Sequence, residues 1–125
     1  MPKPHPLPCV FFRTSAGNEP VRDWLKTLPE AERKQIGTDI MAVQFRWPLG
    51  LPLVDSLGHG LWEIRSMLPT RIARVIFFVC DEEIVLLHGF IKKTPATPDQ
   101  DMDLARRRKH DYEQTHKPPS RKQVR

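Results

Sequence analysis

Leu61-Trp62-Glu63-Ile64-Arg65, then Arg71-Ile72-Ala73-Arg74-Val75-Ile76-Phe77-Phe78, then Leu86-Leu87-His88-Gly89-Phe90-Ile91-Lys92-Lys93-Thr94 decide the fold of this chain. The runs are apolar, rich in branched and aromatic residues, and each has the length of one strand. Short connections around Pro69-Thr70 and Asp81-Glu82 join them, and short links demand antiparallel neighbours. The spacing predicts a meander of Leu61 to Met67, Arg71 to Cys80 and Ile84 to Lys92. Each run also carries an arginine or lysine, which a half-buried strand avoids unless it meets something anionic.

Working upstream, Cys9-Val10-Phe11-Phe12-Arg13 reads as a short strand closed by the turn residues Ser15 to Asn18. Asn18 as cap, Pro20 in the first turn and Val21, Trp24, Leu25 and Leu28 at helical spacing predict a first helix. Thr27 and Glu30 have the spacing of a capping box, and Ile36, Ile40, Val43 and Trp47 form the apolar stripe of a second, longer helix. Pro48 ends it, and the Gly- and Pro-rich stretch to Gly60 reads as a loop. Downstream, Thr97 as cap with Pro98 opens a last helix, with Met102, Ala105 and Tyr112 as its inner stripe.

This order predicts a two-layer α+β domain: a curved antiparallel sheet with the two N-terminal helices on one face, a C-terminal helix, and the opposite sheet face partly free. At 125 residues the chain holds one domain, residues 9–116, after a proline-rich lead over 1–8 and before a basic tail over 117–125 that is expected to be disordered. No apolar run suits a signal peptide or membrane span, so the expected location is cytoplasmic and no membrane partner is expected. Cys9 and Cys80 adjoin apolar strands and read as buried thiols. No Cys-x-x-Cys occurs and the histidines are scattered, so neither metal nor other cofactor is expected.

The formal charge is +5. Lys92 to Arg125 contains ten Lys or Arg against five Asp or Glu, so the whole excess sits in this third and points to a polyanionic partner. A tight turn at Pro69-Thr70 places Arg65 opposite Arg74 on one sheet face, and one at Asp81-Glu82 brings Arg71 near Lys92. Such a cluster suits a phosphate. It also suits a plain surface, since Glu63 stands two residues from Arg65 on the same face and terminal lysines protect an edge; physics alone divides evenly between the two. Arg74, in mid-strand between Ala73 and Val75, is the member least expected of a plain surface. His88 reads as a core histidine, His59 as an exposed loop residue and Tyr112 as helix packing. Arg106, Arg107, Arg108, Lys109 and His110 form a basic helical run that extends the footprint along a nucleic-acid backbone.

In their order, Leu61 to Arg65, Arg71 to Phe78 with Arg74 as the inner arginine, His88-Gly89-Phe90-Ile91-Lys92-Lys93-Thr94, Pro98 and an Ala105-Arg106 helix resemble the RelE/ParE superfamily of toxins, and within it the phage-derived, HigB-like branch. The resemblance spans Cys9 to Tyr112. It implies a RelE-like fold and a type II toxin held inactive by a small helix-turn-helix antitoxin. For the RelE and HigB kinds it implies metal-free cleavage of mRNA on the ribosome, which would make the chain an endoribonuclease. The implied catalytic set is Arg65, Arg74, Lys92 and Lys93, with Arg71 and Arg106 to Lys109 binding RNA and Arg74→Ala expected to abolish toxicity while sparing the fold. The family's additional histidine or tyrosine near the end of the sheet has no counterpart between Phe90 and His110, so the general acid is open among Tyr112, His110, a ribosomal RNA group and the phosphate itself. A ParE-like gyrase poison, or a regulator that only binds nucleic acid, are the alternatives.

Overall fold

The computed structural model describes residues 6–116. Along the chain run β1 (Cys9–Phe11), α1 (Pro20–Lys26), α2 (Glu30–Arg46), β2 (Val54–Gly58), β3 (Leu61–Met67), β4 (Ile72–Cys80), β5 (Glu83–Ile91) and α3 (Asp99–Thr115). The α+β class is as expected, and the three meander strands lie where the hydrophobic runs put them. Two features of the sheet differ from expectation. The stretch before Gly60 contributes a strand, β2, antiparallel to β3, and β1 pairs with β5 in parallel, so the five-stranded order β1-β5-β4-β3-β2 is mixed.

The β2 strand escaped notice because its short, Gly-terminated sequence has no apolar alternation of its own. Its pairing is set from outside, by β3 and by a turn at Gly58, His59 and Gly60 in which all three residues have positive φ. The turn at Asp81-Glu82 has positive φ at both residues, the type I′ geometry whose twist matches a two-residue hairpin, and it pairs Cys80 with Glu83.

Alternate strand residues enter two separate cores. Ile64, Val75, Phe77, Ile84 and Leu86 pack with Val21, Ile36, Ile40 and Val43 of α1 and α2. Leu61, Ile76, Phe78, Val85 and Leu87 pack with Met102, Ala105 and Tyr112 of α3 on the other face. Trp47 ends α2 and meets Trp62 and Phe77 edge-on, at centroid distances of 5.0 and 5.5 Å.

The expected helix caps are not used. Glu19, Pro29 and Pro98 occupy the cap positions, none with a side-chain cap bond. Thr27 instead donates to the Trp24 carbonyl. Part of the proline lead is tied down, since the Leu7 N–H donates to the Gln44 carbonyl and the Pro8 carbonyl accepts from the Ile84 N–H. Cys9 and Cys80 are half-buried, and burial pushes the Cys9 thiol up to about 12. The expected tail over 117–125 and residues 1–5 of the lead lie outside the described residues.

Candidate functional site

The sheet cations fall into two groups, each lining its own pocket, with Pro95 on the wall of both. Arg65 and Arg74 are direct cross-strand partners, as the tight turn required, and share a face. They line a pocket of about 400 Å³ with Asp55, Glu63 and Thr97. Arg74 is 4% exposed and its guanidinium is committed internally. It donates to Thr97 Oγ1 at 3.2 Å and to the Pro95 carbonyl at 3.1 Å, and lies 3.5 Å from Glu63 Oε1. The Thr97 hydroxyl donates in turn to Glu63 Oε2 at 2.8 Å, so the residue expected to cap α3 serves this buried network instead. Burial pushes the Glu63 carboxyl above its ordinary range, Asp55 adds to the rise, and Thr97, Arg74 and Arg65 oppose it. Arg65 is half-buried, and the Nε atoms of both arginines are buried without a hydrogen-bond partner.

The second group stands at the end of the sheet. Arg71, Lys92 and Lys93 line an open groove of about 510 Å³ with Thr70 and Thr94, consistent with the expected approach of Arg71 to Lys92. The Arg71 guanidinium grips Glu32 of α2 with two bonds, of 3.1 and 2.7 Å. Among the described residues neither Lys92 nor Lys93 is within ion-pair distance of a carboxylate. Among the described residues the sheet thus offers two ammonium groups without a carboxylate partner, beside a guanidinium held by Glu32.

The basic run of α3 is divided by the helix's own geometry. Arg106 and Arg107 are exposed, with Arg106 paired to Asp103. Arg108 turns inward, donating to the Leu87 carbonyl at 2.8 Å with its guanidinium 5.9 Å from the Phe12 ring centroid, and burial lowers its pKa, helped by Arg107. Lys109 pairs with Glu113 and lies over Phe78. Tyr112 is buried, and its hydroxyl donates to Glu83 at the start of β5, the end of that strand opposite Lys92. It packs the helix, as its spacing suggested, and stands away from the free lysines.

One pair was not foreseen. The β4–β5 register slips between Ile76 and Phe77, leaving Leu87 as an extra residue and setting His88 opposite Ile76. A bulge reverses which face the following side chains occupy. It brings His88 to the α3 side, stacked on Phe90, with Nε2 2.6 Å from Asp101 Oδ1. Asp101 also lines a groove of about 520 Å³ with Trp24, Arg71, Phe90 and Lys93. Nothing in strand periodicity marks a bulge, and an acid in the first turn of a helix reads as ordinary dipole compensation.

Among the described residues no group of three or more His, Cys, Asp or Glu could hold a metal ion, and no helix is long and apolar enough to cross a membrane. No curated protein matches the chain. A family model described as phage-derived protein Gp49-like (DUF891) matches residues 23–110, from within α1 through most of α3 and including every sheet cation above. The chain belongs to this phage-derived Gp49-like family, part of the RelE/ParE-like toxin superfamily.

Proposed function

We propose that the chain is the HigB-like toxin of a type II toxin–antitoxin pair and cuts mRNA on the ribosome. The observation that carries this reading is the end-of-sheet groove, where Lys92 and Lys93 stand beside Arg71 without a carboxylate partner among the described residues. Scission of RNA by its own 2′-hydroxyl needs added negative charge on the phosphate to be stabilised, and preorganised cations on a rigid sheet supply that without a cofactor. Lys92, Lys93 and Arg71 hold the reacting phosphate. Arg65, half-buried on the wall of the pocket it shares with Arg74, takes the neighbouring one, and Arg74 holds Pro95 and Thr97 beside it. Arg106 and Arg107 extend the electrostatic path along the strand. The family implies an antitoxin partner, and a small helix-turn-helix protein is the form proposed.

Primer extension on message in a bacterial translation extract, with and without ribosomes, tests this. Discrete cuts that require ribosomes and disappear in Lys93→Ala are the expected result. Intact message with inhibited gyrase supercoiling would favour the ParE-like activity, and salt-sensitive binding without turnover would favour a regulator that only binds nucleic acid.

A further inference from the structure

We infer that Asp101, oriented by His88, is the base that accepts the proton of the attacking 2′-hydroxyl; this rests on the RNA-cleaving reading above. The two residues come from different elements, β5 and α3, and meet only because the bulge at Leu87 turns His88 towards the helix. Their side chains are 16% and 22% exposed, enough burial to fix geometry while leaving the carboxylate open to a ligand. Asp101 is the member that lines the groove, and the same groove carries Lys93 and Arg71. His88 binds one carboxylate oxygen, Oδ1, and fixes the plane of the other. A carboxylate held by an imidazole beside cations that bind phosphate is a complete set for proton abstraction with charge stabilisation.

A purely structural reading accounts for less. Asp99 also lies in the first turn of α3 and serves the helix dipole while exposed, so the dipole alone does not require Asp101 to be half-buried against a histidine. Nor does anchoring of α3 require an ion pair at the rim of a groove, because Met102, Ala105 and Tyr112 already pack the helix down.

The step balances with groups on this chain. The 2′ O–H bond breaks and its proton passes to Asp101 as the 2′-oxygen forms a bond to phosphorus. The bond from phosphorus to the 5′-oxygen breaks, its electron pair leaves on that oxygen, and the oxygen takes a proton from the Lys93 ammonium. The products are a 2′,3′-cyclic phosphate and a 5′-hydroxyl. Asp101 then returns its proton to solvent and Lys93 regains one. His88 is a positioning residue and does not touch the substrate.

The test uses the full chain in the ribosome-dependent cleavage assay. Asp101→Asn is the decisive variant, because the amide oxygen still accepts from His88 Nε2 and the helix stays anchored. It is expected to lower kcat by about 100-fold or more with KM and Tm unchanged. Asp101→Glu should recover at least a tenth of the wild-type rate. His88→Gln should lower kcat but add nothing further in the Asp101→Asn background, since both act through one group. Asp101→Asn cleaving within threefold of wild type, or losing activity only through KM or Tm, would overturn the assignment. A wild-type protein that leaves message intact overturns instead the cleavage reading on which it rests, and that result is read before any variant is compared.

Discussion

Arg74 Nη1 lies 3.5 Å from Glu63 Oε1 across two adjacent strands, with 5% and 1% of the two side chains exposed. This is a buried ion pair closed by Thr97 and by the Pro95 carbonyl, and its consequence for mutation differs from what the sequence suggested. Removing one partner leaves the other as an uncompensated buried charge. Arg74→Ala is expected to destabilise the domain by about 3–5 kcal/mol, so loss of toxicity in that variant would not by itself identify a phosphate clamp. Urea denaturation of Arg74→Ala, Glu63→Ala and the double variant checks this. The double variant should be less destabilised than the sum of the singles, and strict additivity would show that the pair is not coupled.

The same carboxylate gives a pH signature. Its pKa is raised in the folded protein, chiefly by burial, so between the ordinary glutamate value and the raised one the folded state binds more protons than the unfolded state. Stability contributed by Glu63 therefore falls as pH rises through that window and is regained on acidification. The stability of wild type relative to Glu63→Gln should therefore increase as the pH is lowered from neutral towards the ordinary glutamate range. A difference that stays flat or moves the other way would mean that Arg74 and Thr97 outweigh burial.

The meander was legible because three apolar runs with short breaks permit little else, and Arg65 opposite Arg74 followed from the turn alone. What stayed hidden was whatever depends on partners distant in sequence. Whether Arg74 faces a ligand or a neighbour is decided by Pro95 and Thr97, some twenty residues on. The capping boxes failed for a similar reason: Thr97 is worth more to Glu63 and Arg74 than to the end of α3. His88 read as a core residue because counting by twos along β5 cannot see the extra Leu87, and the basic run of α3 read as one face although Arg108 and Lys109 are folded against aromatic rings.

Lys93 separates activity from stability more cleanly than Arg74. Its side chain is exposed and makes no ion pair among the described residues, so Lys93→Ala should change stability by less than about 0.5 kcal/mol. Under the cleavage reading it removes both a phosphate contact and the proton for the leaving oxygen, and the rate should fall by about 100-fold or more. Lys92→Ala, which loses only a contact, should act mainly on binding and flatten the salt dependence. Equal cleavage by Lys93→Ala and wild type would remove the end-of-sheet groove from the chemistry.

Gly89 is the position where fold and groove constrain each other. A Cβ built there would lie 2.4 Å from Cε3 and Cζ3 of Trp24, the aromatic residue that α1 lays against β5 and that also lines the groove of Asp101. Ring and strand are both packed, so Gly89→Ala must push the indole outward, at a cost of about 1–3 kcal/mol. A red shift in tryptophan emission should accompany that loss, because the displaced ring gains solvent. Trp24→Leu costs burial in the wild-type background and should cost less, or nothing, in the Gly89→Ala background, where the added methyl already fills the space; a thermodynamic cycle measures that coupling. If Gly89→Ala is as stable as wild type with unchanged emission, α1 does not seat its tryptophan on β5, and the wall this ring gives the groove is lost from the account of substrate binding.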